Sequence, residues 1–106
     1  MNRLELSERW WGLDDASDVA TRKRAAVLLE LNREASSDHP LAGRIAQVEA
    51  FFEASDDVVA RLDDGTFALV HPTWSGQPEA PPFPLTAPLG DARTASAAIA
   101  TWEQTW

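Results

Sequence analysis

Hydrophobic and polar positions change rhythm several times along this chain, and each change marks an element. The clearest rhythm is a period of two from Asp57 to Gly76. Val58, Ala60 and Leu62 alternate with Val59 and Arg61, and Phe67 and Leu69 alternate with Thr66, Ala68 and Val70. Alternation in β-branched and aromatic residues predicts two strands. Asp63-Asp64-Gly65 lies between them, and Asp-Gly favours a two-residue type I′ turn because both tolerate positive φ. The second strand is expected to stop near His71, since Pro72 has no amide hydrogen to donate. A further strand is predicted from about Arg44 to Glu53, with Ala46, Val48, Ala50 and Phe52 on one face. Phe51 falls on the opposite, polar face and marks either a covered second face or a bulge.

Two stretches follow a helical rhythm instead. Asp14, Asp15 and Ser17 are candidate N-caps for a helix from about Asp18 to Ala35. Its apolar stripe is Ala20, Val27, Leu28, Leu31 and Ala35, and Glu30, Arg33 and Glu34 are expected on the outer face. Arg22, Lys23 and Arg24 read most simply as solvated charge. The last segment starts at Asp91, another candidate N-cap, and runs to about Gln104 with Ala92, Ala95, Ala98, Ile99 and Trp102 at helical spacing. Between hairpin and last helix, residues 77–90 hold five prolines. This stretch is expected to cross the surface as an extended, polyproline-like segment pinned by Phe83 and Leu85. Residues 1–13 fit a short strand (Leu4, Leu6) or a helical face (Leu6, Trp10, Leu13), and adjacent Trp10 and Trp11 do not readily face one core. Together these elements predict one α+β domain over residues 1–106. Its core is an antiparallel three- to four-stranded meander packed against two helices on one face.

Charge sharpens the picture. Net charge is −8 overall, but residues 1–44 carry only −1 while residues 45–106 carry −7. An acidic sheet half argues against nucleic acid, whose phosphates need cations, and suits a basic protein partner. Solubility alone also explains it. The 106 residues include no cysteine, which excludes disulfides and thiolate chemistry. No apolar run resembles a signal peptide or membrane span, so a cytoplasmic protein without a membrane partner is expected.

Catalytic motifs are lacking. The two histidines, His39 and His71, each precede a proline and have no metal-ligand spacing around them, so neither metal nor cofactor is expected. No nucleophile elbow or phosphate loop occurs. Asp14-Asp15, Asp56-Asp57 and Asp63-Asp64 sit where caps and turns belong. His71, at a strand end, has the position of a general base oriented by an aspartate, or of a histidine bonding a loop carbonyl. The five tryptophans outnumber the four phenylalanines. Trp102 and one of Trp10 and Trp11 fit a core, Trp106 a loose end or plug, and Trp74 a recognition surface or loop anchor.

The run His39, Pro40, Leu41 and Gly43, then Asp56, Asp57, Val58, Asp64 and Gly65, leads to His71, Thr73, Trp74, Ser75, Gly76, Pro78, Glu79, Pro81 and Pro82. This pattern resembles a family of small, uncharacterised bacterial proteins with a His-x-Thr-Trp-Ser-Gly-x-Pro-Glu-x-Pro-Pro motif. The resemblance covers about residues 28–84. Pro72 stands where leucine is commoner and Phe83 where tryptophan is. It implies the α+β fold and brings no activity or catalytic residue. The expected function is a non-enzymatic, acidic protein-binding module of the immunity or antitoxin type. Its binding residues are drawn from Asp63, Asp64, His71, Thr73, Trp74, Ser75 and Glu79. The alternative is a small enzyme or ligand-binding domain with its site around His71–Trp74. A third reading is a homodimer formed through the apolar face of residues 92–102 or a free sheet edge.

Overall fold

The computed structural model describes residues 3–12 and 17–105. The elements follow in the order β1 (Trp10–Gly12), α1 (Asp18–Glu34), β2 (Ile45–Phe52), β3 (Asp57–Leu62), β4 (Phe67–His71), β5 (Leu85–Gly90) and α2 (Ala92–Glu103). Ser17 caps α1 by accepting from the Ala20 amide at 3.1 Å, and Asp91 caps α2 by accepting from the Thr94 amide at 2.8 Å. Asp14, Asp15 and Trp106 lie outside the described residues.

Among the described residues the sheet has five strands, not three or four, in the order β1-β2-β3-β4-β5, each antiparallel to its neighbour. The added strands come from residues 1–13, which fitted two readings, and from the proline-rich stretch, expected to cross the surface outside the sheet. Among the described N-terminal residues Trp10–Gly12 is strand, pairing with Ala50–Phe52. Leu4 and Leu6 instead pack beside α2, and the Glu5 amide bonds Ser96 Oγ at 2.9 Å. The proline-rich stretch ends in β5, which pairs His71↔Leu85 through Phe67↔Gly90. Pro88 is tolerated because β5 is an edge strand and the register is irregular beside it. Phe83 and Leu85 do not pin this segment, being 44% and 48% exposed. Pro84 and Leu89 are the buried residues there.

The helices cover opposite faces of the sheet, not one. Val27 and Leu31 of α1 pack with Val48, Phe51, Val58, Ala60, Ala68 and Val70. Ala92, Ala95 and Ile99 of α2 pack with Trp10, Ala50, Phe52, Val59 and Phe67. Burial of both faces explains why β3 reads as nearly continuous apolar sequence. It also explains Phe51, which joins the α1 face after a register shift between Val48 and Ala50. The adjacent tryptophans divide the same way, Trp10 toward the α2 core and Trp11 toward the α1 core. Each fully buried Leu, Val or Phe contributes about 1.5–3 kcal/mol, so both clusters are needed for a chain of this length. The apolar face of α2 is occupied by the core.

The β3–β4 turn is a three-residue loop, not a two-residue type I′ turn. The Gly65 amide bonds Leu62 O at 3.1 Å and the Leu62 amide bonds Thr66 O at 2.8 Å. Only Gly65 of the three has positive φ, at 84°, the pattern of a type I turn closed by a left-handed glycine. Asp64 stabilises it by accepting from the Thr66 amide and hydroxyl at 2.9 and 2.6 Å.

Candidate functional site

After His71 the chain leaves the sheet and lies against α1 as a strap, residues 72–79. Two carboxylates of α1 hold it. Glu34 Oε1 accepts from the Thr73 amide at 2.7 Å and Oε2 from the Trp74 amide at 2.9 Å. Glu30 Oε2 accepts from the Gly76 amide at 2.9 Å. The Glu79 amide donates to Glu34 O at 2.9 Å, making a parallel bridge beside Ala35. Trp74 is held at φ 59°, a region unfavourable for a bulky residue and persisting only where its surroundings over-determine it. Its ring nonetheless remains 42% exposed.

Glu34 is fully buried and Glu30 nearly so, which overturns their expected place on the outer face. The helical stripe runs through Val27, Glu30, Leu31 and Glu34, so the i, i+4 spacing puts both acids on the covered side of the helix. Burial pushes Glu34 above the ordinary carboxylate range, and the adjacent Glu30 adds to this against the two strap amides. The hydrogen bond from Glu34 holds Glu30 below that range, helped by the Gly76 amide and Arg33. The two carboxyls therefore shift each other in opposite directions, Glu34 being harder to ionise than a free glutamate and Glu30 easier.

The remaining strap residues form short local bonds. Thr73 Oγ1 donates to Glu79 Oε1 at 3.3 Å, and Ser75 Oγ donates to Gln77 O at 3.2 Å. At the strap's start, His71 Nδ1 faces Asp57 Oδ1 at 3.2 Å. Ser55 Oγ donates to the other oxygen, Asp57 Oδ2, at 2.5 Å. The histidine is half exposed and the aspartate largely buried, so the carboxylate orients the ring through Nδ1. The serine bonds the aspartate and not the histidine, so this line is not a nucleophile–base pair. His39 is wholly structural. Its Nδ1 accepts from the Leu41 amide at 3.0 Å, which assigns the hydrogen to Nε2, 2.9 Å from Pro84 O. It thus ties the proline-rich crossing to the loop after α1.

Asp63 and Asp64 lie apart from this group. They sit at the opposite end of β4, whose five residues span roughly 17 Å. Both are bound to Arg44, Asp63 Oδ1 by Nε at 3.2 Å and Asp64 Oδ2 by a terminal nitrogen at 3.0 Å. The expected binding residues therefore divide in two: Asp63 and Asp64 at the hairpin tip, and His71, Thr73, Trp74, Ser75 and Glu79 at the other end. The sheet register brings the β2–β3 turn to the latter end, and with it the exposed carboxylates of Glu53 and Asp56.

Among the described residues no cluster of three or more His, Cys, Asp or Glu side chains is arranged to hold a metal ion. No helix there is long and apolar enough to cross a membrane. No protein-family model matches the chain, and neither a curated protein nor a solved structure does.

Proposed function

We propose that the chain is a non-enzymatic protein-binding module whose binding face is the strap end of the sheet, with Trp74 at its centre and a basic partner. The observation that carries this is a half-exposed tryptophan in a left-handed conformation whose backbone is held by the buried carboxylate of Glu34. A large aromatic presented on a rigid backbone loses little conformational entropy on binding, which is how hot-spot residues gain affinity. Glu53, Asp56 and Glu79 supply negative charge at the same end, which supports a cationic partner by complementarity. Asp63 and Asp64 contribute less to this reading, because Arg44 already offsets their charge.

The test is affinity capture from host lysate with wild type and Trp74→Ala at low and high salt. A basic protein recovered by wild type, released by salt and lost with Trp74→Ala is the expected result. Equal recovery by both proteins would overturn the reading. The pairing of His71 with Asp57 favours a second reading, a small-ligand or catalytic site with His71 Nε2 as the base. In that case His71→Gln abolishes an activity that Trp74→Ala only weakens.

A further inference from the structure

The strap's tryptophan closes on a cation that belongs to the protein itself. Lys23 Nζ lies 4.4 Å from the ring centroid of Phe51 and 5.6 Å from that of Trp74. Both distances fall within the range over which a ring face attracts an ammonium. Trp11 is the direct cross-strand partner of Phe51, so it shares that face of the sheet and lies next to the pair. Two aromatic rings, Phe51 and Trp74, thus face one lysine ammonium. The inner wall, Phe51, is 2% exposed, and the outer wall, Trp74, is 42% exposed. Glu34 fixes that outer wall through its backbone.

The walls and the occupant differ in rigidity. Phe51 is set by sheet register and Trp74 by the buried carboxylate of Glu34, whereas Lys23 enters on a flexible four-carbon stem from a half-exposed helical position. An aromatic cradle with a fixed shape and a replaceable cation is a recognition site filled by its own placeholder. We infer that the Phe51–Trp74 cradle is a binding site for an ammonium group on a partner's lysine side chain, which enters by displacing Lys23. The inference rests on the proposed binding face and names the chemistry read there. It also makes Lys23 an autoinhibitory contact, since binding must first expel it.

The probes are N-acetyl-trimethyllysine methylamide and its unmethylated lysine counterpart, titrated into full-length protein while the tryptophan indole N–H signals are followed by NMR. Trp74→Ala identifies which signal is Trp74. Lys23→Gln empties the cradle, and Lys23→Arg keeps it filled. The expected result is that Lys23→Gln binds the trimethyl probe about 3- to 30-fold more tightly than wild type, the span of a cation–π contact. Lys23→Arg should bind as wild type does, and the double variant with Trp74→Ala should not bind. Equal affinity of Lys23→Gln and wild type, or binding that survives Trp74→Ala, would overturn the inference. Lys23→Met serves the same purpose if Lys23→Gln melts early. Partner capture separates the two ideas. If capture still depends on Trp74 while the probe ignores Lys23, the cradle fails and the binding face stands. If the probe responds but capture does not depend on Trp74, the binding face fails.

Discussion

Two pairs of acids at opposite ends of β4 show how position decides what a carboxylate does. Asp63 and Asp64 at the hairpin tip are exposed, bonded to Arg44 and to the turn's own backbone. Glu30 and Glu34 on α1 are buried, with no such cation between them, and bond the backbone of a distant segment. The first pair shapes a local turn that glycine and sequence proximity already favour. The second joins residues about forty positions apart and decides where the strap lies. Exposed acids are individually weak because water and salt compete with them. Buried ones act strongly because nothing else is there to satisfy the groups they bond.

The largest effect is expected from Glu34→Ala. It leaves the Thr73 and Trp74 amides without their acceptor and opens a void in the α1 face. The expected loss is about 2–4 kcal/mol by urea unfolding, with the Trp74 amide losing protection from hydrogen exchange. Glu34→Gln, which keeps the shape and one acceptor oxygen, should lose less. If Glu34→Ala melts like wild type, the strap is not held by this carboxylate.

An intermediate effect comes from pH, and its direction differs within the buried pair. The folded value of Glu34 is raised, so its contribution is full below its unfolded value and lost as pH rises through the folded one. Those of Asp64 and Glu30 are lowered, so theirs are present above the unfolded value and lost as pH falls through the folded one. The Thr73 and Trp74 amide shifts should therefore move on the alkaline side of the carboxylate range. The Thr66 and Gly76 amides should move on the acid side. The charged groups facing the pair are Arg33, beside Glu30, and the two glutamates themselves. Titration of all four amides together would contradict the opposite shifts of the two glutamates.

The smallest effect is expected from Arg44→Ala. It frees both hairpin aspartates, yet the turn keeps Gly65 and the Asp64–Thr66 bonds, so the melting midpoint should stay within the scatter of repeated measurements. A large drop would mean that the exposed pair is as consequential as the buried one.

The elements with local causes were legible in the sequence. The hairpin, the caps at Ser17 and Asp91 and the helical stripe of α2 depend on neighbours a few residues away. What escaped depends on distant partners. β5 was hidden because proline argues against a strand in general, while an edge strand needs amides on one side only. The placement of the helices on opposite faces was present in the run Val58, Val59, Ala60, which has no polar face. Phe51 signalled the same thing. Trp74 and Glu79 of the strap were singled out in the sequence as candidates. Glu30 and Glu34 were not, because a charged residue on a helix is solvated by default and only the strap's unmatched amides require otherwise.

The strands lie in space in the order in which they occur in the chain, and this bears on how the molecule is built during synthesis. Each strand emerges beside a neighbour already made, so pairing can advance one hairpin at a time without waiting for a remote segment. The face under α1 can close early. The other face cannot, since α2 follows all five strands. Until Ala95 and Ile99 arrive, Trp10, Phe52 and Phe67 form an uncovered aromatic surface, and that interval is when a nascent chain is most exposed to misassembly.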